Sequence, residues 1–222
     1  MSGPLPAAAR ENLATAIYRH IKRELMVGEH APGTPMVLRF LAERMEVSQT
    51  PIREALLQLV SERVLHMSPG KSIRVPVFDR KRLRGLRAIR LKLEAMAAID
   101  ATPRIPDGTI AELERIHRSL VASKAAQDGA GTLRDNFAFH STLYAASDMP
   151  DLIAIIETLW AQTGPSLIYL YQPPFFAMPG EHPHEEIIRG LRLRDPERVG
   201  RAVERDIEGH GEALLERLPD PG

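Results

Sequence analysis

The stretch VSQTPIREALLQLVSE, residues 47–62, carries the pattern on which the fold prediction rests. Its apolar residues recur at the spacing of a single helix face, and they are Ile52, Ala55, Leu56, Leu59 and Val60. Pro51 suits a first helical position and Thr50 the N-cap before it, so we expect the helix to begin there. Polar residues crowd this end, where free N–H groups and the helix dipole favour an anion such as phosphate.

Two further helices and a hairpin are predicted around this segment. Apolar residues spaced by four predict a first helix over about 10–27, after a flexible lead-in over 1–9 and before a stop at Gly28. A short second helix follows near 38–45. Residues 64–75 contain two strand-like runs around Pro69-Gly70, a pair suited to the centre of a type II turn.

These elements predict a winged helix-turn-helix domain over residues 1–77. In that arrangement the third helix enters the major groove of DNA, and its first turn faces bases and phosphates. A three-helix packing module with no nucleic-acid role is the alternative. The hairpin and the tight turn between the second and third helices favour the DNA-binding interpretation.

The remainder of the chain is almost wholly helical in pattern. Helices are predicted over 79–101, 108–127, 133–146, 150–171, 183–194 and 196–217. The fold class is therefore mainly α, with an all-helical effector and dimerisation domain over 78–218, an antiparallel bundle of six or seven helices. A basic run opens this domain and comprises Arg80, Lys81, Arg82, Arg84, Arg87 and Arg90. We interpret it as a solvated helix face, with contact to the DNA backbone as the alternative.

Composition limits the class of protein. Hydrophobic residues make up 44% of the 222, enough for a real core, and the absence of cysteine excludes disulfides and thiolate sites. No apolar run approaches the roughly 20 residues of a membrane span, so we expect a cytoplasmic protein without membrane contact. Residues 1–75 hold 10 Lys and Arg against 7 Asp and Glu, and the rest hold 19 against 22. This distribution suits a protein whose front part alone meets a polyanion.

Three segments resemble a known family. LAERMEVSQTPIREALLQLVSE, followed by SPGKSIRV, resembles the recognition region and wing of the GntR family of bacterial transcription regulators. NFAFHSTLYAASDMPDL and HEEIIRGLRLRDPERV are similar to two segments of the FCD effector domain found in the FadR-like branch. Together the three segments cover most of residues 10–217 in the expected order. The resemblance implies a ligand-responsive DNA-binding regulator.

The resemblance also implies a set of DNA-contacting residues. The positions that match are Arg39, Gln49, Arg53 and, in the wing, Gly70 and Lys71, and we add Ser48 and Thr50 as helix caps that can also contact phosphate. Gln49 stands where the family usually has arginine. Arginine pairs with guanine and glutamine suits adenine, so we expect an altered operator preference. Glu46 replaces the usual glycine of the turn, which implies strain if its φ is positive.

Many FCD domains bind a divalent metal through one aspartate and three histidines. The matching positions here are Asn136, His140, His184 and Asp206, so the carboxylate has moved to another helix and one imidazole is lost. This set implies one divalent ion, which is Zn²⁺, Ni²⁺ or Mn²⁺. We expect it to bind Zn²⁺ less tightly than the usual set of one aspartate and three histidines does. Asp135 lies one residue off the His140 face, and His210 lies one turn beyond Asp206 as a reserve ligand. A polar cavity that holds the effector without a metal is the alternative.

Other polar and aromatic residues of this half receive a structural interpretation. We expect His117 and His182 to be surface histidines. Tyr169 and Tyr171, beside Trp160, are interpreted as a packed aromatic cluster, with lining of the effector cavity as the alternative.

The function predicted from these observations is a repressor released by a small organic acid. Two copies would place two recognition helices on a palindromic operator, so the partners are double-stranded operator DNA, a small carboxylate and a second copy of the chain. A metal-dependent enzyme using the His140 and His184 cavity is one alternative, although no nucleophile triad, paired acids or phosphate loop is evident. A DNA-binding scaffold without an effector is the other.

Overall fold

The computed structural model of the protein describes residues 7–70 and 72–219, with side chains from Leu13 onward. The helices are α1 (Ala7–Met26), α2 (Leu38–Arg44), α3 (Gln49–Ser61), α4 (Arg80–Ala101), α5 (Asp107–Ala125), α6 (Gly129–Tyr144), α7 (Pro150–Thr163), α8 (Pro183–Arg192) and α9 (Pro196–Arg217). Two strands, β1 (His66–Met67) and β2 (Ile73–Arg74), and a 3-10 helix (Gly164–Tyr171) complete the elements of these residues. The predicted mainly α class, with a winged helix-turn-helix before a helical domain, is confirmed.

The first three helices and the hairpin share one core. Ile21 and Leu25 of α1 pack with Ile52, Leu56 and Leu59 of α3, and all five side chains are buried. The stripe read from residues 47–62 is therefore the buried face of α3, and it leaves the opposite face exposed. β1 and β2 pair antiparallel in the register His66 with Arg74 and Met67 with Ile73.

The turn of the wing is not the predicted type II turn. A type II turn needs a positive φ at its third residue, and Gly70 does not adopt that backbone. Apart from its two neighbours in the chain, no described residue has an atom within 4 Å of the position that a Cβ of Gly70 would occupy. The prediction was wrong because the Pro-Gly pair is compatible with more than one turn, and no packing contact at this exposed tip selects between them.

The helical domain is a bundle in which some of the closest neighbours are far apart in the sequence. α4 packs along α9, α5 along α6, and α8 along α9. α6 begins at Gly129, earlier than predicted, because the Asp128 side chain accepts a hydrogen bond from the Gly131 amide at 2.9 Å and caps the helix. Within the described ranges, no helix is long and apolar enough to cross a membrane.

Two further predicted helix boundaries were wrong. The helix predicted over 150–171 ends at Thr163 and continues as the 3-10 helix, because Pro165 has no N–H and its ring clashes with the carbonyl four residues earlier. α1 begins at Ala7 rather than near Arg10, so residues 7–9 are helical, as three consecutive alanines favour. The earlier part of the predicted flexible lead-in lies outside the described residues.

Glycine permits a close approach where α1 meets the helical domain. A Cβ at Gly164 would lie 2.3 Å from the carbonyl oxygen of Leu25 and 2.6 Å from that of Met26. Gly28, the predicted stop after α1, has a φ of 72° and faces the carbonyl oxygen of Gly164. The end of α1 and the start of the 3-10 helix therefore pack backbone against backbone, which joins the two parts of the chain closely.

Candidate DNA interface and effector cavity

The first turn of α3 lies at the surface of the winged domain. Ser48, Gln49, Thr50 and Arg53 are all exposed, and no intramolecular side-chain hydrogen bond engages the guanidinium of Arg53 among the described residues. The N–H groups of this turn have no partner within the helix, and the helix dipole adds positive potential there. The arrangement suits contact with a phosphate and with the edge of a base.

The cap of α3 differs from the predicted one. Ser48 is the N-cap residue, with φ −71° and ψ 160°, whereas Thr50 lies inside the first turn and Pro51 follows it. Proline is tolerated at any of these early positions because the first N–H groups of a helix have no acceptor within it. The hydroxyl of Ser48 makes no capping hydrogen bond, so it remains available to a partner molecule.

The other predicted DNA contacts lie on α2 and on the wing. Arg39 is 81% exposed, and its Nε donates a hydrogen bond of 2.8 Å to Oε1 of Glu43, one turn along α2. An exposed pair of this kind is weak, so a phosphate can compete for the guanidinium. Gly70 is exposed at the tip of the wing. Lys71 lies outside the described residues.

Glu46, in the turn between α2 and α3, adopts the left-handed backbone that the family pattern assigns to glycine. Its φ is 54°, and its side chain is exposed. The amide of Val47 donates to the carbonyl of Ala42 at 3.0 Å, and this bond closes the turn. Strain was expected at Glu46 if its φ were positive, and this condition is met. The turn contains a left-handed residue, and that residue is glutamate rather than the glycine usual in the family.

A cavity opens inside the helical domain between α4, α6, α7, α9 and the 3-10 helix. Its volume is about 50 Å³, room for a few water molecules at roughly 10–15 Å³ each. Apolar side chains form most of the wall, and they include Leu83, Leu133, Trp160, Leu167, Leu170 and Leu214. The polar residues of the wall include two groups, a cationic one of Arg87 and Arg90 and a histidine-carboxylate one of His140, Asp206 and His210.

Two members of the histidine-carboxylate group, His140 and Asp206, are predicted ligands, and a third predicted ligand, His184, lies next to them without lining the cavity. Nε2 of His140 lies 3.0 Å from Oδ2 of Asp206 and 3.3 Å from Nε2 of His184. All three side chains are buried, and their ligand atoms lie within 4.8 Å of one another. Asn136 lines the same cavity one turn before His140, and its side chain is half-buried.

These residues fit a divalent ion. Donor atoms bound to one tetrahedral ion at about 2.0–2.2 Å lie about 3.3 Å apart, close to the separations seen here. Oδ1 of Asp206 is buried without a hydrogen-bond partner, although Nδ1 of His210 lies 3.2 Å away at ion-pair distance. Two imidazoles, a carboxylate and a nearby amide form a donor set that suits Mn²⁺, Fe²⁺ or Ni²⁺ as well as Zn²⁺.

The two reserve residues differ in position. His210 lines the cavity, and its Nδ1 contacts both the carbonyl and the carboxylate of Asp206. Asp135 instead accepts a hydrogen bond from Ser123 at 3.2 Å and does not line the cavity. A rotation of one residue along α6 is enough to turn Asp135 away, as the helical spacing predicted.

Burial and neighbouring charges shift the pKa values of Asp206, His210 and His184. Burial alone would raise the pKa of Asp206, but His210 and His140 outweigh it and hold that pKa well below its usual range. Burial would lower the pKa of His210, but the carboxylate of Asp206 raises it. Burial lowers the pKa of His184 well below its usual range, which favours the neutral imidazole that metals bind.

A buried polar network orients His140 from its other side. Nδ1 of His140 lies 3.1 Å from the hydroxyl of Tyr144, which donates to Glu94 at 2.9 Å. Glu94 is fully buried and also accepts from Nε1 of Trp160 at 3.0 Å and from Nε of Arg90 at 2.6 Å. This network fixes the ring of His140, as the hydrogen-bond partners of metal-binding histidines commonly do.

The interpretation of the basic run as a solvated face was wrong for Arg87 and Arg90, and Arg80 is half-buried as well, with its guanidinium bonded to the carbonyls of Leu215 and Leu218. Arg90 is 9% exposed and stacks 4.4 Å over the ring of Trp160, and Arg87 turns to the cavity. Nη1 of Arg87 lies 2.6 Å from Oε1 of Glu212 at ion-pair distance but without hydrogen-bond alignment. A signal was present in the sequence, because both arginines follow Leu83 and Leu86 by four residues on the buried face of α4.

The prediction that His117 and His182 are surface histidines was also wrong. His117 is 7% exposed, and its ring centroid lies 5.4 Å from that of His184. His182 is half-buried and lies 4.5 Å from His184 between ring centroids. The burial of His117 was predictable, because it follows Leu113 by four residues on the buried face of α5. The burial of His182 was not, because it depends on how the irregular segment 172–182 packs.

The interpretation of Tyr169, Tyr171 and Trp160 as one packed aromatic cluster was wrong, and the alternative of lining the cavity holds for two of the three. Trp160 and Tyr171 line the cavity, whereas Tyr169 does not. Tyr169 instead borders a separate surface groove with Phe78 and Leu218. The 3-10 geometry explains the division, because successive residues of this tight helix point in directions about 120° apart.

Comparisons with known proteins match both halves of the chain. Residues 13–75 match the family described as bacterial regulatory proteins, gntR family, and residues 86–209 match the FCD domain. The HTH-type transcriptional regulator McbR of Escherichia coli is 32% identical over 188 residues, which are 84% of this chain and 85% of McbR. The HTH-type transcriptional repressor RspR of the same organism is 28% identical and covers 89% of this chain and 87% of RspR.

A solved structure agrees with these matches. The structure of Escherichia coli McbR/YncC superposes with a TM-score of 0.86 at 29% identity, over 93% of this chain and 99% of the other. The matched families and relatives are transcription regulators rather than enzymes, so the alternative of a metal-dependent enzyme receives no support.

Proposed function

This chain belongs to the GntR family of DNA-binding transcription regulators and carries an FCD domain, and we propose that it is a repressor released by a small carboxylate. The DNA-contacting residues in this proposal are Arg39, Ser48, Gln49, Thr50, Arg53, Gly70 and Lys71. Two copies bind one palindromic operator, because a two-fold dimer presents its recognition helices to two equivalent half-sites. The exposed first turn of α3 is the feature that supports this part of the proposal.

In this proposal the cavity of the helical domain is the effector site. The main observation in support is the set of residues that line the cavity. Arg87 and the His140, Asp206 and His210 group line a space otherwise walled by apolar side chains. An apolar pocket with a few convergent polar groups is the usual form of a small-molecule site. The volume of about 50 Å³ selects a compact acid rather than a long acyl chain.

A divalent ion completes the effector site in this proposal. His140, His184 and Asp206 would hold it, with Asn136 beside them as a fourth donor. A bound cation supplies a Lewis-acid partner for the effector carboxylate. Nη1 of Arg87 lacks an aligned hydrogen bond, so it can donate to the second oxygen of the same carboxylate.

A screen of small mono-, di- and hydroxycarboxylates tests the proposal, with thermal unfolding of metal-loaded protein as the first readout. An acid at a hundred times its dissociation constant should stabilise the protein by about 2.7 kcal/mol. The same acid should release the protein from operator DNA selected from a random pool. Arg87→Gln should lose both responses, and Arg84→Gln, an exposed arginine on the same helix, should keep them.

Two results would contradict the proposal. One is an acid that stabilises wild type and Arg87→Gln equally, which would place its site elsewhere. The other is stabilisation through the cavity without any change in operator affinity, which would leave the chain a DNA-binding scaffold that does not respond to the acid.

A further inference from the structure

Three imidazoles meet on the other side of the His184 ring. They belong to His117 of α5, to His182 in the position before α8, and to His184 of α8, and their ligand nitrogens lie within 4.8 Å of one another. Neither His117 nor His182 lines the effector cavity described above. This histidine cluster is therefore a second group with metal-ligand spacing, and it shares only His184 with the first.

Two nitrogens of the histidine cluster are buried without a hydrogen-bond partner. They are Nδ1 of His117 and Nδ1 of His184, on side chains that are 7% and 0% exposed. An unpaired buried polar atom costs about 1–3 kcal/mol, so a native protein rarely leaves two of them on neighbouring rings, here with centroids 5.4 Å apart. An ion bound between the rings would satisfy both nitrogens at once.

The remaining contacts of the three rings leave these nitrogens free to bind. Nε2 of His184 faces His140, so Nδ1 is the atom left over. Nδ1 of His182 accepts a hydrogen bond from the amide of His184 at 3.2 Å, and Nε2 is not used in that bond. The ring of His184 also stacks on Phe139 with centroids 3.7 Å apart and planes within 5°, which fixes its orientation.

The carboxylate of Glu185 lies beside the ring of His117. Its Oε1 lies 3.6 Å from Nε2 of His117, the nitrogen opposite the unpaired one. Histidine ligands commonly donate their other N–H to a carboxylate, which fixes the tautomer that leaves the metal-facing nitrogen unprotonated. A small movement of the exposed Glu185 side chain brings this pair to hydrogen-bond distance.

We propose that His117, His182 and His184 bind one transition-metal ion through imidazole nitrogens alone, beside the effector cavity. His184 uses Nδ1 for this ion and Nε2 for the ion of the effector site, so when both ions are bound its N–H proton is released to solvent and the imidazolate bridges them. Three nitrogen donors without a carboxylate favour Zn²⁺, Ni²⁺ or Cu²⁺ over Mg²⁺, Ca²⁺ or Mn²⁺. The ion ties α5 to the start of α8, and it fixes the ring whose Nε2 faces His140. A fourth position is left for water.

Zinc and nickel titrations of chelator-stripped, full-length protein test this assignment, followed by calorimetry and by X-ray absorption. Asp206→Asn removes the carboxylate of the cavity group, and this variant should still bind one ion with a nitrogen-dominated shell. Adding His117→Gln should weaken metal binding by at least about 100-fold. Loss of a residue that only hydrogen-bonds to a ligand lowers metal affinity 10–100-fold, and loss of a ligand itself should lower it more. Adding His66→Gln, an exposed histidine of the wing, should change nothing.

Folding is monitored by thermal unfolding in chelator, where all variants should resemble the parent. If the protein with Asp206→Asn and His117→Gln does not fold, the protein with Asp206→Asn and Glu185→Gln is used instead. Its metal affinity should be about 10-fold lower than that of Asp206→Asn alone. The assignment is overturned if Asp206→Asn binds neither zinc nor nickel, because the cavity group would then hold the only ion. It is equally overturned if adding His117→Gln or Glu185→Gln to Asp206→Asn leaves the affinity for zinc and nickel unchanged. Water would then be the partner of Nδ1 of His117 and Nδ1 of His184.

Discussion

At the scale of single residues, Glu46 occupies a backbone conformation that costs an L-residue free energy. Its φ of 54° is left-handed, and its exposed side chain has no hydrogen bond or ion pair that would compensate among the contacts described. The left-handed region costs a non-glycine residue roughly 1–2 kcal/mol. Glycine avoids this cost but loses more chain entropy on folding, so the net gain is smaller.

We therefore predict that Glu46→Gly raises the free energy of unfolding by about 1 kcal/mol. Chemical denaturation of the full chain, followed by circular dichroism, measures this difference. Glu43→Gly is the matched control, because Glu43 lies within α2, where glycine should destabilise by about 1 kcal/mol. A Glu46→Gly variant less stable than wild type would show that the glutamate is not strained in this turn.

Single residues also show where sequence reasoning succeeds. The exposure of Gln49 and Arg53 followed from their places opposite the apolar stripe of α3. The burial of His117 was missed although it lies between Leu113 and Leu120 on the apolar face of α5. A titratable residue within a stripe was treated as a surface residue, when its position indicated an inward-facing side chain that needs a polar partner.

At the scale of elements, an ion cluster joins α1 to α2 in the winged domain. Oε1 and Oε2 of Glu24 accept hydrogen bonds from Arg44 at 2.8 Å, and Nε2 of His30 lies 2.8 Å from Oε2. Burial would raise the pKa of Glu24, but the bonds from His30 and Arg44 lower it to about 2. The charged carboxylate therefore stabilises the placement of α2, which precedes the recognition helix.

The depressed pKa sets the pH window of this contribution. Because the pKa in the folded state is below the ordinary value of 4.5, the stabilisation is present above 4.5 and is lost as pH falls toward about 2. We predict that Glu24→Gln destabilises the protein at pH 7, and that the difference narrows at about pH 3.5. Denaturant midpoints of both proteins at the two pH values measure it, and a difference that widened in acid would contradict the assignment.

Helix boundaries were predictable where a local signal was strong. Pro183 and Pro196 begin α8 and α9, at the two positions where the helices were predicted to begin. The change from α7 to the 3-10 helix was missed because an apolar run continues through Gly164-Pro165 without a change of pattern. Packing against α1 adds to this break, since only glycine lets the carbonyls of Leu25 and Met26 approach so closely.

At the scale of the whole molecule, α7 connects the cavity to the recognition helix. Trp160 and Thr163 line the cavity, and Nε2 of Gln162 donates to the carbonyl of Glu62 at the end of α3 at 3.1 Å. Arg82 of α4 donates to the same amide group of Gln162 at 3.2 Å. On the other side of the junction, Nζ of Lys22 donates to Thr158 at 2.9 Å. A shift of α7 on effector binding would thus move the end of α3.

We predict that Gln162→Ala reduces the effect of the effector on operator affinity while the effector still binds. Coupling free energies between sites are typically 1–3 kcal/mol, so the ratio of affinities should fall by about 5-fold or more. Fluorescence anisotropy of labelled operator, with and without the effector, measures the ratio. Glu157→Ala, an exposed change on the same helix, should leave it unchanged, and an unaltered ratio in Gln162→Ala would exclude this contact from the coupling.

The arrangement of two domains was predictable from motifs, whereas the contents of the cavity were predictable only in part. His140, His184 and Asp206 came together as the family pattern implies. The contributions of Arg90 and Glu94 depend on how α4 rotates against α7 and α9, and one sequence does not fix that rotation. His182 depends on the path of a long irregular segment, for which no periodic signal exists.

The central claim is that the exposed start of α3 reads DNA. Selection of binding sites from a random DNA pool tests it most directly, with wild type, Arg53→Ala and Arg115→Ala, the last an exposed arginine of α5. Wild type and Arg115→Ala should enrich the same palindromic site, and Arg53→Ala should bind that site more weakly by about 1–3 kcal/mol. Enrichment of no sequence by wild type, or equal binding by Arg53→Ala, would contradict the assignment of α3 as the recognition helix.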